Sequence, residues 1–328
     1  MSSKQDLILE VENLSVGFGK SGKCVEVTSD VSFSLRKGQI LSLVGESGCG
    51  KSLSCLALTR LLPPTGRIIR GSVRYYHKNG NAYDLCSVKE KDLRKVRGSS
   101  VAYIFQEPSA SLNPVFKVED QIAEVIELHR PEVSDVHGEV IKLLQDVGIP
   151  DPEKRCQAYP HELSGGMQQR IMIAMALAGK PDLLIADEPT TALDVTIQAQ
   201  ILDLIDSLRK KYNMAVILVT HNLGIVAELA DQVAVMYAGM IVETASAAEL
   251  IKFPQHPYTR ALLAAVPQLG KSDKCLNTIP GTVPMPKDFP QGCRFAARCS
   301  CAQDKCRKHT DFKARENHFW RCIQDWSE

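Results

Sequence analysis

An eight-residue segment has the spacing of a loop that binds nucleotide phosphates. In such a loop, backbone N–H groups surround the β- and γ-phosphates at a helix N-terminus, where the helix dipole also favours anions. We expect Lys51 to bring a positive charge to these oxygens and Ser52 to offer its hydroxyl oxygen to Mg²⁺. A chance glycine-rich turn is the alternative, but an apolar strand precedes the segment and a helical pattern follows it. The segment reads Gly45, Glu46, Ser47, Gly48, Cys49, Gly50, Lys51 and Ser52, which fits G-x-x-x-x-G-K-[ST].

Two adjacent carboxylates follow an apolar run that predicts a buried strand over 183–186. Asp187 suits a partner of Mg²⁺, and Glu188 is placed to orient or deprotonate the water that attacks the γ-phosphate. An acidic loop start is the alternative for this pair. His221 follows a second predicted strand, 215–220, and ligands of open α/β sheets bind at this edge. We expect His221 to hydrogen-bond the γ-phosphate, although a lone histidine is more often structural.

A second anion-binding helix start lies far along the chain from the first. Residues 163–167 read Leu-Ser-Gly-Gly-Met and lead into a predicted helix over 168–178. One chain has little use for a second phosphate site if the first already binds its nucleotide. The second site has a use if each chain lends Ser164, Gly165 and Gly166 to the nucleotide of a neighbour.

The elements that must position these residues alternate between strand and helix. Such alternation indicates an α/β sheet with parallel strands. The predicted strands are 7–12, 31–35, 40–44, 101–105, 183–186, 215–220 and a hairpin of 233–236 with 240–243, and the predicted helices lie within 52–62, 118–178 and 197–211.

The composition of the whole chain argues against several classes of protein. The chain has 328 residues, 44% of them apolar, and a formal net charge of +1, so no global field favours nucleic acid or an anionic membrane. The longest apolar run, 171–178, is far shorter than the ~20 residues that cross a bilayer. Residues 1–10 lack the basic and apolar regions of a signal peptide, so we expect a cytosolic protein.

Taken together, these segments resemble the nucleotide-binding subunit of an ATP-binding cassette (ABC) transporter, over about residues 7–267. The resemblance implies a P-loop NTPase α/β core in residues 1–270, with an antiparallel β subdomain and an inserted α-helical subdomain at about 107–180. A cysteine-rich extension, 271–328, follows. The matching segments are 45–52 (Walker A), Gln106 (Q-loop), 163–167 (signature motif), 183–187 (Walker B), 192–194 (D-loop) and His221 (H-loop).

The resemblance also implies how such a site works. Two domains close head to tail around two ATP molecules, so that each completes the site of the other. Gln106 is implied to sense Mg²⁺ and the attacking water, and 107–116 to touch a membrane subunit. Phe18 resembles the aromatic residue that stacks on adenine, and a core phenylalanine is the alternative. The residues implied to act on the neighbour's ATP are Ser164, Gly165, Gly166 and Asp194, while Glu188, His221 and Gln106 act on the chain's own.

Further stretches resemble the dipeptide and oligopeptide importers, namely 106–114, 256–263, 279–281 and 292–295. This group implies a second ATPase subunit, either a paralogue or another copy of the chain, and two membrane permease subunits. It implies a peripheral position at the cytoplasmic face of the inner membrane and an indirect link to an extracytoplasmic solute-binding protein. Nickel or another small solute stays open as the cargo. A soluble ABC ATPase that acts on nucleic acid or ribosomes is the rival class, but such proteins usually carry two cassettes or a coiled-coil insertion.

Six of the eleven cysteines fall in the last sixth of the chain. In a reducing compartment, such a cluster suggests metal more than disulfides. Four thiolates suit a [4Fe–4S] cluster or a structural zinc, and the spacing does not choose between them. Resemblance to the peptide importers, whose tail can carry an iron–sulfur cluster, favours iron; free buried thiols and a redox sensor are the alternatives. The candidate ligands are Cys293, Cys299, Cys306 and Cys322, spaced C-x5-C-x6-C-x15-C, with Cys301 as an extra thiol.

The same tail is rich in basic residues, with nine lysines or arginines against four acids over 287–321. A nucleic-acid patch is conceivable because aromatic residues are interleaved. A solvated face that balances four thiolates is the preferred interpretation, so we expect no nucleic-acid partner.

Overall fold

The computed structural model describes residues 6–20, 24–77, 80–191, 193–265, 278–308, 312–324 and 326. The strands are β1 Leu7–Phe18, β2 Val25–Arg36, β3 Ile40–Val44, β4 Gly66–Tyr76, β5 Ala82–Asp84, β6 Val101–Ile104, β7 Leu183–Asp187, β8 Ala215–Thr220, β9 Gln232–Tyr237, β10 Met240–Ser246, β11 Lys313–Arg315 and β12 His318–Trp320. The helices are α1 Lys51–Leu58, α2 Glu90–Val96, α3 Pro108–Ser111, α4 Val118–His129, α5 Val136–Asp146, α6 Pro152–Arg155, α7 Gly165–Ala178, α8 Val195–Tyr212, α9 Leu223–Leu229, α10 Ala247–Lys252 and α11 Pro257–Ala264.

An eight-stranded sheet in the order β11-β12-β10-β9-β3-β8-β7-β6 forms the centre of the molecule. Its middle strands run parallel, as predicted, and every residue of β3, β7 and β8 is buried. Successive residues of one strand enter different cores: Leu184 packs among residues of the helices, whereas Ile185 packs towards a second sheet. Burial of both faces explains why these strands read as continuous apolar runs.

The second sheet is antiparallel and has the order β2-β1-β4-β5. Its first two strands extend well beyond the predicted ranges, 7–12 and 31–35. The alternation of apolar side chains, such as Val31, Phe33 and Leu35, turns one face of β2 into the core.

Helices α3 to α7 fill the interval between β6 and β7. Their inward faces form one core with the main sheet, as seen at Ile122, Val140 and Ile173. The α5 helix begins at Asp135, whose Oδ1 accepts a hydrogen bond from the backbone N–H of Gly138 at 2.9 Å. The insertion therefore rests on the sheet between the two strand ends that carry Gln106 and Asp187.

The cysteine-bearing tail packs on the cassette and extends its sheet. Strand β12 pairs with β10, with Glu243 opposite Trp320. Phe295 and Trp320 are each 3% exposed, and Phe295 shares a core with Tyr237 and Tyr258. The predicted boundary near Gly270 and Cys275 lie outside the described residues.

A buried carboxylate anchors this tail. Glu243 is fully buried and accepts hydrogen bonds from the backbone N–H groups of Gln255 and His256. Its Oε1 also lies 2.7 Å from Nε2 of His318, on β12. Burial lowers the pKa of His256 to about 4, so this neighbouring ring is neutral at physiological pH. The tail is therefore attached to β10 by strand pairing and by a buried polar contact.

In the described ranges, no helix is both long and apolar enough to cross a bilayer.

Candidate nucleotide site

The predicted phosphate loop joins β3 to α1 and contains three glycines with positive φ. Gly45, Gly48 and Gly50 have φ angles of 152°, 77° and 99°. A Cβ at Gly45 would lie 2.2 Å from the carbonyl oxygen of Met236, so no larger residue fits there. At Gly48 nothing lies within 4 Å of such an atom, and the left-handed conformation alone favours glycine. The loop thus turns sharply from the sheet into the N-terminus of α1, with open space beside Gly48.

The first two residues of α1 are both held by hydrogen bonds. Lys51 Nζ donates to the carbonyl oxygens of Gly45 at 2.8 Å and Glu46 at 3.0 Å, and Lys51 is only 4% exposed. Ser52 Oγ donates to Asp187 Oδ1 at 3.0 Å. The ammonium and the hydroxyl are therefore fixed at the loop, where the sequence predicts phosphate and Mg²⁺.

Asp187 ends β7 and is 8% exposed. Burial raises its pKa above the ordinary aspartate value; the hydrogen bond from Ser52 and the charge of Lys51 oppose the rise, and the charge of Glu188 adds to it. The oxygens of Asp187 and Ser52 are ligands of the kind that Mg²⁺ prefers. In the described ranges, no three Cys, His, Asp or Glu side chains are placed to hold a metal by themselves. These residues therefore fit a Mg²⁺ ion that arrives with a nucleotide and is held partly by its phosphates.

The Glu188 carboxylate lies where residues that follow β6, β7 and β8 come together. Its Oε2 accepts hydrogen bonds from Gln106 Nε2 at 3.4 Å and Thr191 Oγ1 at 2.9 Å. Its Oε1 lies 3.5 Å from Nδ1 of His221. The structure brings the three predicted catalytic residues together and adds Thr191, which sequence reasoning missed. Thr191 could have been predicted from its position, because its hydroxyl comes three residues after the Glu188 carboxylate.

The backbone at Glu188 is strained, with φ at 46° in the left-handed region. Such a conformation costs a non-glycine residue on the order of 1–3 kcal/mol and is most frequent at functional sites. The N–H of Glu188 donates to Val219 O at 3.0 Å, and its carbonyl accepts from Thr191 N at 3.1 Å. These bonds hold the turn that aims the carboxylate at Gln106 and His221.

Strand register explains why residues distant in sequence converge. Each functional residue stands just after the end of its strand, and neighbouring strands end at the same level of the sheet. The paired ends are Val44 with Thr220, Asp187 with Val219, and Ile104 with Ala186.

The segment predicted to serve a neighbouring chain caps its own helix. Ser164 Oγ accepts from Met167 N at 3.4 Å at the start of α7. Ser164 and Gly165 are exposed, and nothing lies within 4 Å of a Cβ built at Gly165. Among the described residues, the hydrogen bonds of Ser164 stay inside its helix. The segment therefore presents a helix N-terminus to solvent and has no hydrogen bond to Glu188 there.

Two other predicted residues have local partners. Asp194 is exposed and caps α8, where its Oδ1 accepts from Ile197 N at 2.9 Å. The preceding D-loop residue, Ala192, lies outside the described residues. Phe18 is half-buried at the end of β1, next to Gly66 and against the core of the second sheet. Its predicted role in stacking on adenine stays a prediction.

The four candidate cysteine ligands are free thiols. Burial, together with the charges of Cys306, Cys322 and Cys299, raises the pKa of Cys293 to about 11. Burial also raises the pKa of Cys299 and of Cys322, with contributions from Cys306. Cys293 is joined to Cys306 by a hydrogen bond from its N–H to the Cys306 carbonyl oxygen at 2.8 Å. In the described ranges, no three potential ligands form a ready metal-binding group.

The expectation of a solvated basic face in the tail is wrong for two arginines. Arg294 lies over the ring of Phe289 at 4.0 Å and donates to Ser29 Oγ at 2.6 Å. The Arg298 side chain is 5% exposed and pairs with Glu46, in the phosphate loop. Both charges lie in contact with the cassette, because the tail docks on it. No local pattern could reveal the pair of Arg298 with Glu46, since 252 positions separate the two residues.

Two family matches account for most of the chain. Residues 28–191 match the family described as ABC transporter, and residues 242–306 match the family described as oligopeptide/dipeptide transporter, C-terminal region. The first match contains the phosphate loop, Gln106, Glu188 and Thr191, and it ends before His221. The second contains the tail from β10 to Cys306.

The chain is also similar to individual proteins. It is 47% identical over 301 residues to the dipeptide transport ATP-binding protein DppD of Escherichia coli strain K12, covering 92% of this chain and 90% of that protein. It is 47% identical over 302 residues to the oligopeptide transport ATP-binding protein AppD of Bacillus subtilis strain 168, covering 91% and 90%. Its fold is similar to that of a solved, dimeric ATP-binding cassette in a post-hydrolysis state bound to ADP and phosphate. For that structure the TM-score is 0.63 at 22% identity, with 73% of this chain and 99% of that chain covered.

Proposed function

Because the chain belongs to the ABC transporter family, as its motifs predicted, we propose that it hydrolyses MgATP to drive import of dipeptides or oligopeptides through a membrane permease. The observation that carries the proposal is the Glu188 carboxylate. It contacts Gln106, Thr191 and His221 beside the phosphate loop. A carboxylate so placed serves hydrolysis, because it can orient and deprotonate a water molecule at the γ-phosphate.

The individual roles follow from the contacts. Lys51 exchanges its loop carbonyls for β- and γ-phosphate oxygens when ATP binds, because charged oxygens are the stronger acceptors. Ser52 and Asp187 hold Mg²⁺, which neutralises charge that develops on the phosphates. Glu188 is the base, and His221 and Gln106 fix the geometry of the attacking water. Phe18 stacks on adenine.

The complete catalytic site needs two chains. The exposed α7 N-terminus, with Ser164, Gly165 and Gly166, is a second anion site that the chain's own cluster at Glu188 does not use. We assign it, with Asp194, to the γ-phosphate of a partner ATPase subunit. Binding of two ATP molecules closes the pair, and hydrolysis reopens it. The partner is a paralogue or a second copy of this chain.

The proposed permease contact lies on the segment that follows Gln106. Val115 is 72% exposed and Phe116 is 51% exposed, which is unusual for large apolar side chains side by side on a surface. A permease that binds here, next to Gln106, would couple its movement to the nucleotide. We propose accordingly that the chain lies at the cytoplasmic face of the membrane, with two permease subunits and, indirectly, a solute-binding protein.

Peptide cargo is supported by the tail match and by the names of the relatives, which describe dipeptide and oligopeptide transport. Among the residues that the structure describes, no contact favours nickel. We propose that the cargo itself is selected by the permease and the solute-binding protein.

We propose in addition that Cys293, Cys299, Cys306 and Cys322 bind metal, as a [4Fe–4S] cluster or as zinc. The support is the donor set and the mutual influence of the thiols on their pKa values. Thiols with raised pKa values become thiolates when a cation binds, because the cation offsets the cost of burying their charge. Metal would hold the tail together, since the tail has few aliphatic residues for a core.

The function is tested with Glu188→Gln in the chain assembled with its permease in membrane vesicles. We expect phosphate release and ATP-dependent dipeptide uptake to fall about 100-fold or more, because a general base is lost, while MgATP stays bound. Glu132→Gln makes the same change at an exposed site and should leave both rates unchanged. Normal turnover in Glu188→Gln would overturn the base assignment, and ATP-dependent uptake of nickel without dipeptide uptake would overturn the cargo.

A further inference from the structure

We propose that Arg298, in the cysteine-bearing tail, is a positioning residue of the phosphate loop, which binds and neutralises Glu46 so that the loop can accept the polyphosphate of ATP. The inference rests on the proposed function, because it assumes that this loop binds ATP. It gives the tail a direct part in nucleotide binding.

Arg298 and Glu46 form a two-point contact. Arg298 Nη1 lies 2.7 Å from Glu46 Oε2, and Nη2 lies 2.9 Å from Oε1. Parallel bonds of this kind between a guanidinium and a carboxylate fix orientation as well as charge. The side chains are 5% and 30% exposed, so the pair is shielded from solvent on the arginine side. It is therefore stronger than an ordinary surface pair.

Contacts to residues other than Glu46 also hold the Arg298 side chain in place. Its Nε donates to Pro280 O at 2.8 Å, and its Nη2 also donates to Ile279 O at 3.1 Å. Its Nη1 lies 3.4 Å from the hydroxyl of Tyr237. These contacts hold the guanidinium against the loop, because moving it would break bonds to the backbone as well as to Glu46.

The backbone of Glu46 is also held in place, next to the lysine that is predicted to bind phosphate. The N–H of Glu46 donates to Tyr258 Oη at 2.9 Å, and its carbonyl accepts from Lys51 Nζ at 3.0 Å. Glu46 therefore contacts Arg298 through its side chain and Lys51 through its carbonyl oxygen. Holding its side chain restricts the backbone that presents Lys51.

The negative charge of Glu46 opposes nucleotide binding, because it lies inside a loop that has to bind a polyphosphate. At an effective dielectric constant of about 20, like charges ~6 Å apart repel enough to weaken binding roughly a hundredfold. Arg298 cancels this charge at contact distance. Without Arg298, the loop would keep its glycines and its conformation, but the unpaired charge of Glu46 would repel the phosphates of ATP.

A simple docking role does not account for this placement. The tail is already attached by β12 on β10 and by His318 at Glu243, 2.7 Å apart. Arg294 provides a third contact through Ser29 Oγ at 2.6 Å. None of these attachments needs an acidic residue inside the phosphate loop.

The test is the equilibrium dissociation constant of MgATP for the full-length chain. We expect Arg298→Ala to raise it about tenfold or more and Arg298→Lys to raise it less, because lysine keeps the charge but not the two-point contact. Adding Glu46→Gln to Arg298→Ala should restore most of the lost affinity, since the unpaired charge is then gone. Arg307→Ala removes an exposed tail arginine and should change nothing. In the assembled transporter, Arg298→Ala should raise KM for ATP and leave kcat within about threefold.

Several results would overturn the inference. Unchanged ATP affinity in Arg298→Ala would do so. So would a double variant as weak as Arg298→Ala, because a loosened tail, rather than an unpaired charge, would then be the cause. Thermal unfolding of each variant checks folding, and Arg298→Lys keeps the test valid if the alanine variant is unstable. Lys51→Ala separates the two hypotheses: if it also binds ATP normally, the proposed function fails, and if only Arg298→Ala binds normally, the inference alone fails.

Discussion

The Glu188 backbone is held in a left-handed conformation by the contacts around it. Its φ of 46° is a conformation that a glutamate adopts only when its surroundings impose it. Two bonds through its backbone and the contacts of its carboxylate supply that constraint. Its position after a buried strand could be predicted from sequence, whereas its strained turn could not, because strain has no residue signature outside glycine.

Thr191 gives the prediction at the scale of a residue. In Thr191→Val the side-chain shape is kept but Glu188 Oε2 loses its 2.9 Å hydrogen bond. We expect kcat for ATP hydrolysis to fall about tenfold, with unchanged MgATP affinity, because a bond to a charged group is worth roughly 1.5–3 kcal/mol. Steady-state phosphate release by the assembled transporter measures it.

Thr190→Val is the matched control. Among the described contacts, the Thr190 hydroxyl has no hydrogen bond to Glu188, so its loss should leave kcat unaltered. Equal rates for Thr191→Val and the unaltered chain would remove Thr191 from the site.

The elements that could be predicted from the sequence were the longer ones that are buried on both sides. β3, β7 and β8 are five- and six-residue apolar runs buried on both sides, and their pattern alone predicts them. β12 has three residues, His318–Trp320, and pairs with β10 on one side and β11 on the other. A strand this short has no periodicity to read, so the sequence did not predict that the tail extends the main sheet.

The tail gives the prediction at the scale of elements. We expect anaerobically purified protein to be brown, with iron and acid-labile sulfide in equal amounts, because four neighbouring thiols suit a [4Fe–4S] cluster. Cys322→Ser should lose the colour and the metal. Cys301→Ser should keep both, since Cys301 is the extra thiol. A colourless protein with one zinc per chain would identify the other metal, and absence of stoichiometric metal of either kind would contradict the metal proposal.

At the scale of the whole molecule, we propose that the four sequence segments divide between two nucleotides. The phosphate loop, Asp187, Glu188 and His221 meet at one sheet edge. Ser164 stands at an exposed helix start and bonds only within α7 among the described residues. Sequence order and chemistry identified all four segments. The presence of two anion-binding helix starts in one chain already predicted their division, whereas the exposure of Ser164 depends on the packing of the helical insertion, which a local pattern does not contain.

The proposed division predicts that an isolated chain is a poor ATPase. Under this proposal, each chain binds ATP by its own loop but lacks the second anion site that completes the charge around the γ-phosphate. Activity should therefore require a partner ATPase.

The most direct test compares MgATP binding to full-length Lys51→Ala and Ser164→Arg. We predict that Lys51→Ala weakens binding about 100-fold or more, whereas Ser164→Arg binds within about threefold of the unaltered chain, because its own loop is intact. Both should abolish hydrolysis in the assembled transporter. If Ser164→Arg lost MgATP affinity to the same extent as Lys51→Ala, Ser164 would belong to the chain's own site, and the account of two half-sites would be contradicted.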